Sequence, residues 1–315
     1  MRNKIIAAAL FGLLSSGMLM AENVKQPLNE TGIFIKGKCK AIDSSPDGYV
    51  YVLTRDKRLI RFDEDGEQKV IPIPLNKEIK SEDDYFCDMT VDTKCAYFCA
   101  YNYSSILALD LNNPKELKAL NLSYNNKPIN PMILTRNIDG WCLKDFDSRT
   151  FKIDKKGNLT LLPESTEVTL DKNGKSVIIE ETKFNQETGT TSFPKKVFSN
   201  DLNTVRWVAP EAEAPKQVTS IEYLGFNIDR GLDVYLVKAA SGELDTEVTI
   251  YAVNNSNNII AKKVIPNGSL NFIMRYCKLA NDGSIIAVYA DPEKPDEQFI
   301  LKKFEIKEVE APTKG

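Results

Sequence analysis

One strand–turn–strand plan that returns six times in 315 residues, with almost no helical periodicity between its copies, predicts an all-β fold. The expected architecture is a six-bladed β-propeller of four-stranded antiparallel blades. The turns Asp47-Gly48, Asp92-Thr93, Asp139-Gly140, Asn173-Gly174, Arg230-Gly231 and Asp282-Gly283 each precede a short run rich in β-branched and aromatic residues. They recur about every 47 residues, the spacing of propeller blades. Missing helical period excludes a doubly wound α/β fold. A pair of sandwiches divided at 163–168 is disfavoured because the repeat runs through that boundary.

In chain order, the first segment has Arg2 and Lys4 ahead of an uncharged, largely apolar stretch from Ile5 to Met20, with small Ala21 before Glu22. That is the pattern of a secretory signal peptide over 1–21. The stretch falls short of the roughly 20 apolar residues of a membrane span, so the expectation is a periplasmic or secreted chain with no span after cleavage. A single propeller domain is expected over 22–311 and a short tail over 312–315. The first unit, Cys39 to Pro74, is the clearest: "CKAID", a turn at Asp47-Gly48, "YVYVLT", "RLIRF", a turn at "DEDGE", and "KVIPI". Second hairpins of the same kind recur in "SILALDLNNPKELKALNL", "TFKIDKKGNLTLLP", "KKVFSNDLNTVRWVAP" and "VTIYAVNNSNNIIAKKVIP". Proline follows the closing strand at Pro74, Pro163, Pro210 and Pro266, where it cannot donate to a continuing ladder. The sixth unit ends before a fourth strand. The spare strand "TGIFIKG" ahead of the first unit is placed to complete it and latch the ring.

"YVYVLTRDKRLIRFDEDGE" resembles the NHL-repeat pattern, and "SSPDGYVYV" resembles the Ser-Pro-Asp-Gly turn of TolB-like propellers. One blade matches well and the others match by periodicity. The resemblance implies a six-bladed propeller; it does not select an activity, since this architecture carries binding modules, lactonases, hydrolases and scaffolds alike.

Three of the six cysteines fall in "YFCDMTVDTKCAYFC". Superposing the units sets Cys39, Cys87 and Cys277 on the innermost strands of units one, two and six, which are neighbours around a closed ring. Three readings stand beside one another: small core hydrophobes, a disulfide favoured by an oxidising compartment, and a soft-metal or redox site built from the trio Cys39, Cys87 and Cys277. The disulfide candidate is Cys87 with Cys99. A three-residue turn at Asp92–Lys94 sets them opposite one another, whereas a two-residue turn brings Phe98 there instead. Cys95 and Cys99, four apart, share a strand face.

The absence of histidine excludes Ser-His-Asp and Cys-His nucleophiles and any imidazole-bound metal. Calcium at the propeller axis, as in a lactonase-type hydrolase, needs only oxygen ligands. Asp43, Asp88, Glu222 and Asp229 are the acids placed for it, with Glu82, Asp83 and Asp84 a weaker cluster; most such carboxylates are simply solvated. Tyr85, Phe86, Tyr97, Tyr101, Tyr103 and Trp141 are either inter-sheet filling or a face that contacts a sugar or peptide. A net charge of −3 with interspersed signs offers no basic stripe for nucleic acid. The leading expectation is a non-enzymatic, cofactor-free binding or scaffold module for a protein or cell-envelope macromolecule. The long polar excursions "EETKFNQETGTTSFPKK" and "KAASGELDTE" are its expected contact loops. The alternative is the axial metal-dependent hydrolase.

Overall fold

Polar turn residues close the hairpins by bonding to their own backbone. The Thr54 hydroxyl accepts from the Arg58 N–H at 3.2 Å, and Asp63 accepts from Glu67 at 2.7 Å. Asp145 accepts from Arg149 at 2.8 Å, Asp154 from Asn158 at 2.9 Å, and Asn254 from Asn258 at 3.0 Å. In four of these turns the residue three positions on has positive φ: Lys57, Gly66, Ser148 and Gly157. That is the type I turn followed by a left-handed residue that suits short hairpin loops. Turn chemistry repeated at equivalent places sets the meander.

A computed structural model describes residues 28–74; 86–162 except 102, 138–139 and 155; the strands within 166–207; and 217–308 except 228, 241–245, 255–257 and 266–271. The expected leader, the tail 312–315 and the acids Glu82, Asp83 and Asp84 lie outside those residues. The chain is a β-propeller of four-stranded antiparallel blades. The first sheet runs Cys39–Ser44, Val50–Thr54, Leu59–Phe62, Gln68–Ile71. The second runs Phe86–Val91, Cys95–Ala100, Ser105–Asp110, Leu117–Asn121. The third runs Pro131–Asn137, Gly140–Asp145, Thr150–Asp154, Leu159–Leu161. Thr166–Leu170, Ser176–Glu180, Lys196–Ser199 and Val205–Trp207 make the fourth, and Lys183–Asn185 pairs with Thr190–Ser192 as a separate ribbon within its long excursion. Gln217–Asn227, Leu232–Ala240, Thr246–Val253 and Ile259–Ile265 form the fifth, to which Lys307–Glu308 adds an outer strand. Phe272–Leu279, Ile285–Ala290 and Gln298–Phe304 begin the last sheet. Among the described residues no helix is long and apolar enough to cross a membrane.

Alternating side chains supply a separate apolar layer to each side of a sheet. In the first sheet Val50 and Val52 face the last sheet's Ile286 and Val288, while Tyr51 and Leu53 face the second sheet's Phe98 and Leu107. Cys99 and Ile106 carry the second sheet's other face onto Leu143, Phe151 and Ile153 of the third. Leu236 and Ile250 of the fifth sheet meet Ile285 and Ala287 of the last. The first strands touch in cyclic order: that of the first sheet against the second, the second against the third, and so on to the fifth and the last. The last sheet's first strand then touches the first sheet's.

A strand that precedes the first sheet completes the last one. Ile33–Lys36 pairs antiparallel with Gln298–Phe304, in the register Ile33–Leu301 to Lys36–Gln298. Its alternation is strict, with Ile33 and Ile35 buried in the layer shared with Val50, Val52 and Ile60, and Phe34 exposed. Each buried isoleucine is worth roughly 2–3 kcal/mol by apolar area. Further ties surround it: Gly37 N–H to Glu297 O at 2.6 Å, Lys303 N–H to Asn29 O at 3.1 Å, Arg58 Nη2 to Lys36 O at 2.5 Å. Gly32 enters this strand at φ 86°, and a Cβ there would lie 2.6 Å from Ile300 Cγ2 and 2.9 Å from Leu301 O.

Deleting residues 22–36 is therefore expected to lower the thermal unfolding midpoint by roughly 10 °C or more, and Gly32→Ala to do so by a smaller amount in the same direction. An unchanged midpoint by differential scanning calorimetry would contradict the latch.

Candidate functional site

The innermost strands carry the groups that could act at the axis, and their register is not the one that superposed sequences predict. In the first three sheets it is shifted by a bulge near the strand's start, and the first strands of the fifth and last sheets carry register shifts as well. The pairing jumps from Cys39–Thr54 to Ala41–Leu53, from Phe86–Ala100 to Asp88–Cys99, and from Pro131–Asp145 to Ile133–Lys144. Lys40, Cys87 and Met132 are thus the extra residues, and Cys87 is equivalent to Lys40 rather than to Cys39. Neither anticipated turn register is adopted in the second sheet. The Asp92 carboxylate accepts from the N–H groups of Lys94 and Cys95 at 2.7 and 2.6 Å, which puts the loop at Thr93-Lys94 and pairs Val91 with Ala96.

The expected thiol trio is distributed rather than gathered. Cys39 lies in the layer between the last and first sheets, Cys277 in that between the fifth and last, and Cys87 in that between the second and third. Among the described residues no group of three or more Cys, Asp or Glu side chains is disposed to hold a metal ion. Burial pushes the thiols of Cys99 and Cys277 above their ordinary range, so both are poor thiolates.

Of the four acids, Asp43, Asp88 and Glu222 do stand on innermost strands, each half-buried, whereas Asp229 is exposed on a turn. Two of them tie neighbouring blades together. One Asp43 oxygen, Oδ2, accepts from the Val91 N–H at 2.8 Å and from the Thr90 hydroxyl at 2.9 Å, both on the second sheet's first strand. Its other oxygen accepts from Ser44 N–H at 2.9 Å. Asp88 in turn accepts from the Leu134 N–H of the third sheet's first strand at 3.0 Å. These bonds give a strand the lateral partner that its position at the inner edge of a sheet otherwise denies it. Asp43 retains accessible surface yet is hemmed in by protein, so desolvation raises its carboxyl above the usual range; the Lys278 ammonium and the bonds from Val91, Thr90 and Ser44 pull the other way. Glu222, on the fifth sheet, lies near enough to Cys277 to help raise its thiol.

The aromatic residues divide between core and surface. Phe86 and Phe98 pack at 5.0 Å inside, and Tyr97 stands edge-on to Trp141 at 5.4 Å between the second and third sheets. Tyr101 and Phe146 meet edge-to-face at 5.2 Å but remain 36% and 40% exposed. Tyr101 follows the second strand of its sheet, and Phe146 is in the turn after the second strand of the next, so both belong to one rim. Ile133, 39% exposed, is the third residue of the adjacent innermost strand, and the Phe146 N–H bonds Asn130 O at 3.2 Å just before that strand. Sequence composition pointed to Tyr101; Phe146 and Ile133 were not singled out, because a solvent-facing aromatic has no distinct pattern. The contact-loop residues 241–245 lie outside the described residues.

No family model matches this chain, and no curated protein matches it. Among solved structures it is similar to a DUF4221-family protein from Bacteroides vulgatus, with TM-score 0.58 and 11% identity over 90% of this chain and 96% of that one. It also aligns with a gluconolactonase-like protein (TM-score 0.49, 11% identity, 91% and 97% covered). The WD40 propeller domain of Doa1 gives 0.48 at 13% identity, with 88% and 96% covered. At such identities the first of these supports the propeller fold and nothing further.

Asp43→Ala is expected to lose about 2–4 kcal/mol in urea unfolding, because a buried N–H and a hydroxyl lose their acceptor. Asp43→Asn keeps an acceptor oxygen and is expected to lose less. With a folded-state pKa above the unfolded one, Asp43 contributes stability that is present at low pH and lost as pH rises through the folded value. The wild type is therefore expected to gain on Asp43→Asn as pH falls from neutrality towards about 4; a gap independent of pH would contradict the assignment.

Proposed function

We propose that this chain is an exported, six-bladed β-propeller that binds a protein or another cell-envelope macromolecule through one rim, without catalysis. The observation that carries the reading is the division of labour among its polar and aromatic groups. The axial carboxylates Asp43 and Asp88 serve as ties between blades. An edge-to-face aromatic pair, Tyr101 with Phe146, is meanwhile presented to solvent beside Ile133. Exposed aromatics on a rigid scaffold are efficient contact residues because little side-chain entropy is lost on binding. Six blades are favoured by the cyclic order of the first strands and by the latch, which gives the last sheet its fourth strand. The likeness of Ser45–Gly48 to the TolB-type turn agrees with that count. Export is favoured by the charged, apolar and small-residue order of segment 1–21.

Replacing Tyr101 and Phe146 by alanine is expected to abolish recovery of the partner from a native envelope fraction while moving the thermal midpoint by less than about 3 °C. Undiminished recovery with a folded double variant would remove this rim as the contact. Export is checked separately: N-terminal sequencing of protein from its source is expected to begin at Glu22, and a retained Met1 would contradict it.

A further inference from the structure

The bulge in the second sheet creates a relation that its neighbours lack. A bulge sets two residues of one strand against one of the other; here Cys87 is the extra residue between the pairs Phe86–Ala100 and Asp88–Cys99. Cys87 and Cys99 consequently occupy the same apolar layer between the second and third sheets, both buried. Residues opposed across antiparallel strands lie about 4.5–5.5 Å apart at Cα, inside the range a disulfide spans. Cys87 also ranks with Asp88 among the groups close enough to raise the Cys99 thiol.

Other partners are geometrically unsuited. Cys95 shares the strand with Cys99, four residues and roughly 13 Å away. Cys142 lies one residue before Leu143, whose side chain enters this layer, so alternation turns Cys142 to the far face of the third sheet. Cys39 and Cys277 belong to layers between other sheets.

We propose that Cys87 and Cys99 are an oxidisable dithiol that closes to a cross-strand disulfide when the chain folds in the presence of a disulfide oxidant. All six cysteines stand as thiols in this structure. The Cys99 thiol donates to the Met132 carbonyl at 3.3 Å, with the Asp88 carbonyl at 3.8 Å. Closure removes one proton from each thiol and two electrons from the pair. The new S–S bond forms as that of the incoming disulfide breaks, and the oxidant leaves as two thiols. Because both sulfurs are buried in the finished fold, the exchange occurs during folding, before the third sheet docks on the second. The bridge then locks the bulge, and with it the Asp88 tie to Leu134.

The test is to refold the purified protein with reduced and oxidised glutathione, block remaining thiols with iodoacetamide, and digest with trypsin without reduction. Cleavage after Lys94 separates Ser81–Lys94, which contains Cys87, from Cys95–Lys115, which contains Cys95 and Cys99. The expected result is these two peptides joined as one mass. The link should persist in Cys95→Ser and disappear in Cys99→Ala. Alkylated Cys87 and Cys99, glutathione adducts on either, or a link that disappears in Cys95→Ser would each overturn the proposal. Should Cys99→Ala fail to fold, the Cys95→Ser digest decides alone, since only one link between the two peptides then remains.

Discussion

Closing a ring of sheets is the constraint on which everything else here depends. A row of antiparallel sheets, each packed on the next through an apolar layer, leaves two open faces and an incomplete final sheet unless its ends meet. Ile33–Lys36 solves both problems at once: its backbone completes the last sheet, and Ile33 and Ile35 enter the layer that the last sheet shares with the first. One short strand thereby joins residues nearly a whole chain length apart. The loop-closure cost of such a contact is high, but it grows only slowly with length. The two buried isoleucines and the dense polar surroundings of residues 29–38 offset part of it.

Within the ring the innermost strands face a second difficulty. Each is an edge strand, with backbone groups that no sheet partner satisfies. Asp43 and Asp88 meet this need by reaching across to the N–H groups of Val91 and Leu134. The spans of 48 and 46 residues match one repeat, so each tie links a blade to its successor. Carboxylates near the axis of a propeller invite a catalytic interpretation. Here one oxygen of each accepts from a backbone N–H of the next sheet, and the desolvation that raises Asp43 follows from that structural placement. The exposed pairing of Tyr101 with Phe146 stands instead on the rim, the site of the proposed contact.

The sequence made the strands legible because their turns carry chemistry with a mechanism. Asp63, Asp154 and Asn254 close their hairpins by the same bond, and Gly66 and Gly157 supply the left-handed residue. "TGIFIKG" was legible as a latch because the last unit lacked a strand. The bulges at Lys40, Cys87 and Met132 were not legible, since a one-residue insertion leaves the hydrophobic pattern on either side intact. That slip turns Cys87 to the opposite face from Cys39 and Cys277: those two enter the layer on the preceding side of their sheets, and Cys87 enters the layer on the following side. It also explains why Cys87 meets Cys99 through a bulge and not through the turn length. Asp43 and Asp88 were visible as candidate acids. Their role as ties was hidden, because it depends on the neighbouring blade's backbone and not on any local motif.

Hydrogen exchange measured by mass spectrometry on the intact protein tests the closure most directly. If the ring is latched as described, the peptide spanning Ile33–Lys36 exchanges far more slowly than an unpaired segment, because the N–H groups it bonds to Gln298–Phe304 open only when the strand leaves the last sheet. Exchange of Ile33–Lys36 within seconds, at the rate of an unpaired terminus, while Val50–Thr54 stays protected, would contradict the account.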